Sequence, residues 1–201
     1  MSDAALVGPN AVTRLAEALR AQGGETVTQG LFRSIGRSAW LAAPPTSMLP
    51  AAEVARLHRA VRDTLGPTSA AAVLADAGRR TATYLLAQRI PTPARWLLAR
   101  LPRWLATRVL LTMLRRNAWT FGAKGRFGAT GGSRPALIIV GNPLCAPAPG
   151  QPGDAPVCAW HEAVFETLFQ AVVSPAAHVH EISCIAQGDA ECRFEVTFDA
   201  R

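Results

Sequence analysis

Thiols and a carboxylate recur at short intervals near the end of this 201-residue chain. The stretch HEISCIAQGDAEC, residues 180–192, contains Glu181, Cys184 and Cys192, and Cys158 lies one element upstream. Thiolates and carboxylates both bind zinc, and four such donors complete the tetrahedral coordination of a structural site. The residue types therefore indicate a metal site that joins separate elements of the fold.

The spacing alone leaves the ligand set open. One set is Cys158, Glu181, Cys184 and Cys192. A second set replaces Glu181 with His161, which follows Cys158 by three residues on the same helical face. A third reading is that the cysteines are small buried apolar side chains without a metal. Glu181 and Cys184 converge only if their strand ends or bulges, because residues three apart on a regular strand point to opposite faces.

The redox setting favours metal over disulfides. All four cysteines, Cys145 among them, lie in the last 57 residues. The N-terminus, MSDAALVGPNAV, lacks the basic start and apolar run of a secretory signal, and no apolar stretch is long enough to span a bilayer. Disulfides rarely persist in the cytosol. We therefore expect reduced thiols and a cytoplasmic protein, with peripheral membrane contact as a further option.

Positive charge is concentrated in the middle of the chain. The formal net charge is +7, and no acidic residue occurs between Asp76 and Asp154. That interval carries twelve basic residues: Arg79, Arg80, Arg89, Arg95, Arg100, Arg103, Arg108, Arg115, Arg116, Lys124, Arg126 and Arg134. Such an excess predicts an anionic partner, for which carboxylates, phosphates and a membrane surface are the candidates. We expect no nucleic-acid partner.

The sequence pattern divides the chain into two parts. Up to about residue 120, apolar residues recur at helical spacing, with stops at Gly23-Gly24 and Gly66-Pro67 and a new helix at Pro102. After that, PALIIV predicts a buried strand, VCAWHEAVFETLFQAVV a helix, and the last residues a hairpin. In that hairpin, Cys192 faces the core together with Phe194 and Val196.

These elements predict an α/β protein in which a helix-rich N-terminal part packs on an antiparallel sheet. At 49% apolar and 17% charged residues, the composition suits a compact core. We expect a single domain over residues 1–201, mainly helical over residues 1–120, with the metal-binding portion in residues 121–201.

The helical stretch before the glycine-rich segment is the predicted ligand pocket. It combines large apolar side chains with arginines and has no competing acid. A flat apolar ligand that carries carboxylates needs an apolar slot with guanidinium groups at its rim. The candidates are Trp104, Met113, Trp119, Phe121 and Phe127 for the slot and Arg115, Arg116 and Arg126 for the rim.

The C-terminal sequence resembles that of a known family. Cys158, Glu181, Cys184 and Cys192, spaced C-x22-E-x2-C-x7-C, together with EISCIAQGDAECRFEV, are similar to the 4-vinyl reductase domain. That domain occurs in bacteriochlorophyll-biosynthesis proteins, in sensor domains of aromatic-responsive transcription activators and, more distantly, in trafficking-complex subunits. The resemblance covers roughly residues 135–201. It implies a structural zinc on this quartet, favours Glu181 over His161, and implies a ligand pocket between helices and sheet.

The resemblance also implies function. The leading expectation is a tetrapyrrole-binding accessory or carrier protein that presents a magnesium porphyrin, or a related intermediate, to a bacteriochlorophyll-biosynthesis enzyme. Any membrane contact would then be at the edge of the photosynthetic membrane. A homodimer is expected by analogy, and the axial ligand of the pigment metal stays open among His58, His161, His178 and His180.

Two alternatives to a carrier stand beside it. The first is an enzyme, a divinyl (proto)chlorophyllide 8-vinyl reductase, although GAKGRFGATGG lacks the spacing and the context of a dinucleotide-binding fingerprint. The second is a small-molecule sensor domain.

Overall fold

Helices build the N-terminal part of the protein. The computed structural model describes residues 5–89, 98, 100–118, 127–145 and 156–198. In that part of the chain, α1 comprises Asn10–Ser34, α2 Ala39–Ala42, α3 Ala51–Arg89 and α4 Arg103–Arg116. A two-residue antiparallel ladder joins β1 (Leu6–Val7) to β2 (Leu49–Pro50), and it brings the start of α1 beside the start of α3.

Glycines interrupt both long helices where the sequence predicts that they end. Gly24 in α1 has φ 76° and Gly66 in α3 has φ 74°, and helical conformation resumes directly after each. Only glycine adopts this left-handed region without steric cost. Pro67 follows as the first residue of the new helical segment, where its missing N–H is tolerated. The helix ends predicted at Gly23-Gly24 and Gly66-Pro67 are therefore confirmed, and α1 and α3 each consist of two helices joined by a kink.

Four antiparallel strands form the sheet. They are β3 (Phe127–Thr130), β4 (Ala136–Val140), β5 (Ala177–Ser183) and β6 (Glu191–Phe198), and their order is β3-β4-β6-β5. In β6, Cys192, Phe194 and Val196 are fully buried, which confirms the predicted alternation and hairpin. The sequence pattern did not predict β3, since a four-residue strand that contains Gly128 has almost no periodic signal.

Helix α5 (Ala159–Val172) lies between the sheet and the N-terminal helices. It packs against α3 on one side and β5 on another, and α3 also packs against α1. Gly78 of α3 permits the closest approach: a Cβ there would overlap the carbonyl oxygen of Trp160 and lie 3.0 Å from the Cβ of Ala163. Buried apolar side chains from Val7 to Val196 form one continuous cluster.

The fold class is confirmed as a helix-rich N-terminal part packed on an antiparallel sheet. Helix α4 begins directly after Pro102, as the sequence predicts, and none of the helices that the structure describes is long and apolar enough to cross a membrane.

Candidate metal centre

Four cysteines meet at the end of the sheet that faces the start of α5. Cys145 ends a single turn of 3-10 helix after β4, Cys158 directly precedes α5, Cys184 follows β5, and Cys192 lies in β6. All four are free and buried, and their sulfur atoms lie within 4.8 Å of one another. We call these four residues the thiol cluster.

Sheet register and turns bring the thiols together. Ile139 of β4 pairs with Cys192, and the chain then turns at Gly141, with φ 60°, into the Pro143–Cys145 turn. The β5–β6 register shifts between Glu181 and Ser183, which is the irregularity that convergence of Glu181 and Cys184 requires. Cys184 then follows in extended conformation, and Gly188 turns the chain with φ 96°.

Hydrogen bonds fix the segments that carry the thiols. The Asn142 amide donates to the sulfur of Cys158 at 3.6 Å, and its oxygen accepts the Leu144 N–H at 3.1 Å. The Asp189 carboxylate accepts the Cys184 N–H at 2.7 Å. Backbone and side-chain contacts of this kind orient ligands in metal sites. The turns around the thiols are therefore held in place by residues outside the cluster.

Glu181 lies beside the thiol cluster. Its Oε2 accepts the backbone N–H of Cys158 at 3.0 Å, and its buried Oε1 has no hydrogen-bond partner among the residues that the structure describes. Burial raises the pKa of the Glu181 carboxyl to about 9, against the lowering effect of the Cys158 hydrogen bond. This carboxyl is therefore neutral at pH 7 unless a cation is near.

His161 is buried in a different environment. Its ring centroid lies 4.8 Å from that of Trp160 and 6.0 Å from that of Phe194. Among the described residues, the group of converging donor atoms contains the four cysteines and does not include His161. Three of the four predicted ligands, Cys158, Cys184 and Cys192, thus lie together, with Cys145 as the additional member.

The protonation of the thiols is uneven. Burial, together with hydrogen bonds to the other thiols, raises the pKa of Cys158 well above its usual range. Hydrogen bonds from the other three thiols lower the pKa of Cys184, and hydrogen bonds from Cys145 and Cys158 lower the pKa of Cys192. A divalent cation among the sulfurs would favour the thiolate form of all four, which is the form that binds metal.

The donor chemistry and the geometry fit zinc. Tetrahedral coordination with Zn–S bonds of about 2.3 Å places neighbouring sulfurs about 3.8 Å apart. The sulfur atoms of Cys158 lie 3.9 Å from Cys184 and 3.6 Å from Cys192, and those of Cys145 and Cys192 are 2.9 Å apart. These separations bracket the tetrahedral value, so the cluster has the dimensions of a closed structural site.

The predicted pocket residues that the structure describes lie on α4 and β3. Trp104 is 68% exposed, Arg115 and Arg116 are exposed, and Met113 is half-buried against the core. The Arg115 Nη2 donates to the carbonyl of Ala129, which ties α4 to β3, and the ring of Phe127 lies 6.1 Å from that of Phe165. The remaining predicted pocket residues, Trp119, Phe121 and Arg126, lie outside the described residues.

The other histidines are engaged with the protein. His58 is buried, with Nε2 3.3 Å from the carbonyl oxygen of Ala11. His178 and His180 lie on β5, with Nδ1 3.9 Å from Glu166 and 3.6 Å from Glu162 respectively.

Residues 136–198 match the model of the 4-vinyl reductase domain family, and this range contains Cys145, Cys158, Cys184 and Cys192. Over 190 residues the chain is 39% identical to the bacteriochlorophyll synthase 23 kDa chain of Cereibacter sphaeroides, covering 94% of this chain and 89% of that protein. It is 34% identical to the protein of the same name from Rhodobacter capsulatus, with 94% and 85% covered. The chain belongs to the bacteriochlorophyll synthase 23 kDa chain family. The resemblance in the C-terminal sequence is thereby confirmed.

Solved structures extend the fold beyond this family. An H-NOX protein from S. oneidensis, solved in an Fe(II)NO ligation state, matches with a TM-score of 0.59 at 12% identity. The match covers 96% of this chain and 100% of that one. Another H-NOX structure of the same fold concerns the distortion of its heme. At this level of identity, the similarity shows that this chain and the H-NOX proteins share a fold.

Sequence reasoning missed Cys145 as a member of the cluster. The residue lies 13 positions before Cys158, which is the first residue of the C-x22-E-x2-C-x7-C motif, so the motif does not include it. Its position follows from β4, because that strand pairs with the strand that carries Cys192. The available signal was its place directly after the predicted strand PALIIV, at a turn marked by glycine, asparagine and proline.

Proposed function

We propose that this protein is a tetrapyrrole-binding accessory or carrier protein of bacteriochlorophyll biosynthesis, which presents a magnesium porphyrin or a related intermediate to a pathway enzyme. Membership in the bacteriochlorophyll synthase 23 kDa chain family supports the pathway and supports partnership with its enzymes. The chemistry of the ligand follows from the surface of α4.

The main support for an anionic ligand is that the arginines of α4 have no carboxylate partners within the described structure. Trp104, Arg108 and Arg115 lie along one stripe of the helix, and Arg116 is exposed beside it. We call these four residues the α4 surface. A chlorophyll precursor is a flat apolar macrocycle with propionate groups, and guanidinium groups bind carboxylates through short, charge-assisted hydrogen bonds. An aromatic side chain beside such groups suits both parts of that ligand.

A cleft elsewhere is less suited to the same ligand. A volume of about 420 Å³ lies between α1 and Trp40, with Arg14, Arg20 and Tyr84 in its lining. Its arginines are already paired, Arg14 with Glu17 and Arg20 with Glu25. A propionate there would have to displace a carboxylate that is already bound. The contrast with α4 favours the α4 side as the place where an anionic pigment binds.

The fold itself is compatible with a macrocycle. H-NOX proteins, which share this fold, contain a heme. In those proteins the fold holds a tetrapyrrole, which supports the same capacity here. The proposed pocket residues are those predicted from the sequence, together with the α4 surface.

We further propose a zinc ion at the thiol cluster as a structural cofactor. Cys158, Cys184 and Cys192 would supply three ligands, with the fourth from Glu181 or Cys145. A closed site with four protein ligands has no open position for substrate, so the metal would join α5 to the β5–β6 hairpin without taking part in a reaction.

An 8-vinyl reductase is the second candidate, and the match of residues 136–198 to the 4-vinyl reductase domain is what favours it. Reduction of a vinyl group needs a hydride donor. Purified protein supplied with NADPH and a divinyl substrate distinguishes the two functions: a carrier binds the pigment unchanged, whereas a reductase oxidises NADPH and reduces the vinyl group to an ethyl group.

The proposed location is at the edge of the photosynthetic membrane. Exposed Trp104, with Arg103 and Arg108 on the same helix, presents an aromatic ring and positive charge to the surroundings. Amphipathic surfaces of this composition bind anionic bilayers at the headgroup level. A carrier that docks there could deliver an apolar pigment without releasing it to water.

Titration with magnesium protoporphyrin tests the carrier function. Fluorescence and native mass spectrometry of the intact protein should show saturable binding, and the same spectra report zinc and oligomeric state. Arg115→Ala, Arg116→Ala and Arg126→Ala should each weaken binding about ten- to a hundredfold, which corresponds to roughly 1.5 to 3 kcal/mol for a lost charge-assisted contact. Trp119→Ala should also weaken binding, because it removes an apolar contact of the slot.

Arg20→Ala provides the matched control, because it removes an arginine from the α1 cleft. It should leave the affinity unchanged. Loss of binding in Arg20→Ala, with no loss in any of the four predicted pocket variants, would move the pocket to the α1 cleft. Absence of saturable binding in the parent protein would reject the carrier function.

A further inference from the structure

We infer that Cys145 is the fourth zinc ligand, so that four thiolates hold the ion and Glu181 supports the site from outside the coordination shell. This inference rests on the zinc ion proposed above, and it chooses between the two candidates for the fourth position. Structural zinc is almost always four-coordinate, so five nearby donors cannot all bind.

Proximity is the first argument for Cys145. Its sulfur lies 2.9 Å from that of Cys192, and all four sulfurs fall within 4.8 Å of one another. The four thiols therefore already surround a common centre. An ion placed there would be reached by Cys145 without any change in the backbone, since a small increase in the separation of Cys145 and Cys192 gives the tetrahedral edge of about 3.8 Å.

Among the described residues, the carboxylate oxygens of Glu181 are not in the group of donor atoms that converge within 4.8 Å. Its Oε2 accepts the N–H of Cys158, a residue that itself contributes a sulfur to the cluster. Carboxylates that bond to ligand residues are typical of the outer shell of metal sites, where they orient the ligands. In this role Glu181 holds the start of α5 in the position that directs Cys158 toward the ion.

A positive charge lies near the thiol cluster. Helix α3 packs against the Pro143–Cys145 turn, and its Arg62 interacts electrostatically with Cys158 and with Cys145. This guanidinium offsets part of the net negative charge that zinc with four thiolates carries.

If Cys145 is a ligand, the metal also connects the turn after β4 to the other elements of the site. Cys145 and Cys158 lie on either side of residues 146–157, so one ion would fix both ends of this connection as well as the β5–β6 hairpin. Ligation by Glu181 would fix the hairpin and the start of α5 only. The four-thiolate site therefore also anchors the turn after β4 on which α3 packs.

X-ray absorption at the zinc edge of the purified full chain decides the ligand set. Four sulfurs at about 2.3 Å are expected, whereas the alternative gives three sulfurs and one oxygen at about 2.0 to 2.2 Å. This measurement on the parent protein needs no variant to fold. A shell of three sulfurs and one oxygen overturns the inference, and absence of zinc from the parent rejects the zinc proposal as a whole.

Two matched variants give an independent readout. Glu181→Gln keeps an oxygen that can accept the Cys158 N–H, and it should retain one zinc per chain with an affinity reduced about tenfold or less. Cys145→Ser should lower zinc affinity by at least about 100-fold in a competition with a chelator. The opposite ranking, with zinc lost from Glu181→Gln and kept by Cys145→Ser, overturns the inference.

Discussion

The thiol cluster and the α4 surface differ in how they are stabilised. The thiol cluster is buried, its four members come from separate elements, and hydrogen bonds from Asn142 and Asp189 fix its turns. The α4 surface is exposed, comes from one helix, and has charges that no described carboxylate neutralises. A site built from several elements stabilises the fold when it is filled, whereas a charged surface on one helix leaves the fold almost unchanged. The predictions below test that contrast.

The largest expected effect is on the thiol cluster. Cys184→Ser should lose zinc and destabilise the protein by several kcal/mol, below the roughly 10 to 16 kcal/mol that structural zinc supplies in zinc-finger peptides, because this protein also has an apolar core. Elemental analysis and thermal unfolding measure the two effects. Ile182→Ala, at a position 54% exposed, is the neighbouring control and should behave like the parent. A Cys184→Ser protein with parental zinc and melting would contradict the contrast.

The next effect concerns the contact that positions α5. Gly78→Ala should destabilise by about 2 to 3 kcal/mol, because the new methyl group overlaps the carbonyl of Trp160 and forces α3 away from α5. Zinc affinity should fall with it, since Cys158 precedes α5. Gly30→Ala, whose added carbon meets nothing within 4 Å, should instead stabilise by about 0.4 to 1 kcal/mol. Equal behaviour of the two variants in chemical denaturation would refute this role of Gly78.

A smaller effect depends on pH. Burial, with a further contribution from Arg62, lowers the pKa of His58 to about 3, against the effect of its bond to Ala11. The unfolded chain binds this proton below about pH 6.5 and the folded chain does not, so stability falls as pH decreases from 6.5 toward 3. Between pH 7 and pH 5 the loss should be about 2 kcal/mol.

Denaturant unfolding at a series of pH values measures this dependence. Acid would also protonate thiolates bound to the proposed zinc ion, so the parent must be compared with His58→Gln, in which only the histidine contribution is removed. The variant should show a loss smaller by about 2 kcal/mol over the same interval. Identical pH profiles would show that His58 is not the group responsible.

The smallest effect is expected at the α4 surface. Arg108→Ala should leave the melting temperature unchanged, because no described carboxylate pairs with Arg108. Arg37→Ala is the matched comparison: Arg37 makes two bonds of 2.5 Å to Glu53 and lies 5.5 Å from the ring of Trp40, so its removal should lower the melting temperature measurably. A larger decrease in Arg108→Ala would show that the α4 surface contributes to folding.

Local patterns predicted much of this protein. Helical periodicity, alternation in β6, and the positions of Pro102, Gly24 and Gly66 are properties of short segments, and the structure places elements or breaks there. The resemblance in residues 180–192 added the proximity of Cys184 and Cys192. These features depend on neighbours within a few positions, where backbone conformation and side-chain spacing are directly linked.

Tertiary structure decided the rest, because it depends on which strands pair and which helices approach. Cys145 joined the cluster because β4 pairs with β6. His161 lies among aromatic rings although its spacing from Cys158 suited a ligand. The sequence by itself determined which segments form helices or strands and which side chains can bind a metal. Only the packing of distant segments decided which donors face a common centre, since that distance is set by contacts between elements and not by spacing along the chain.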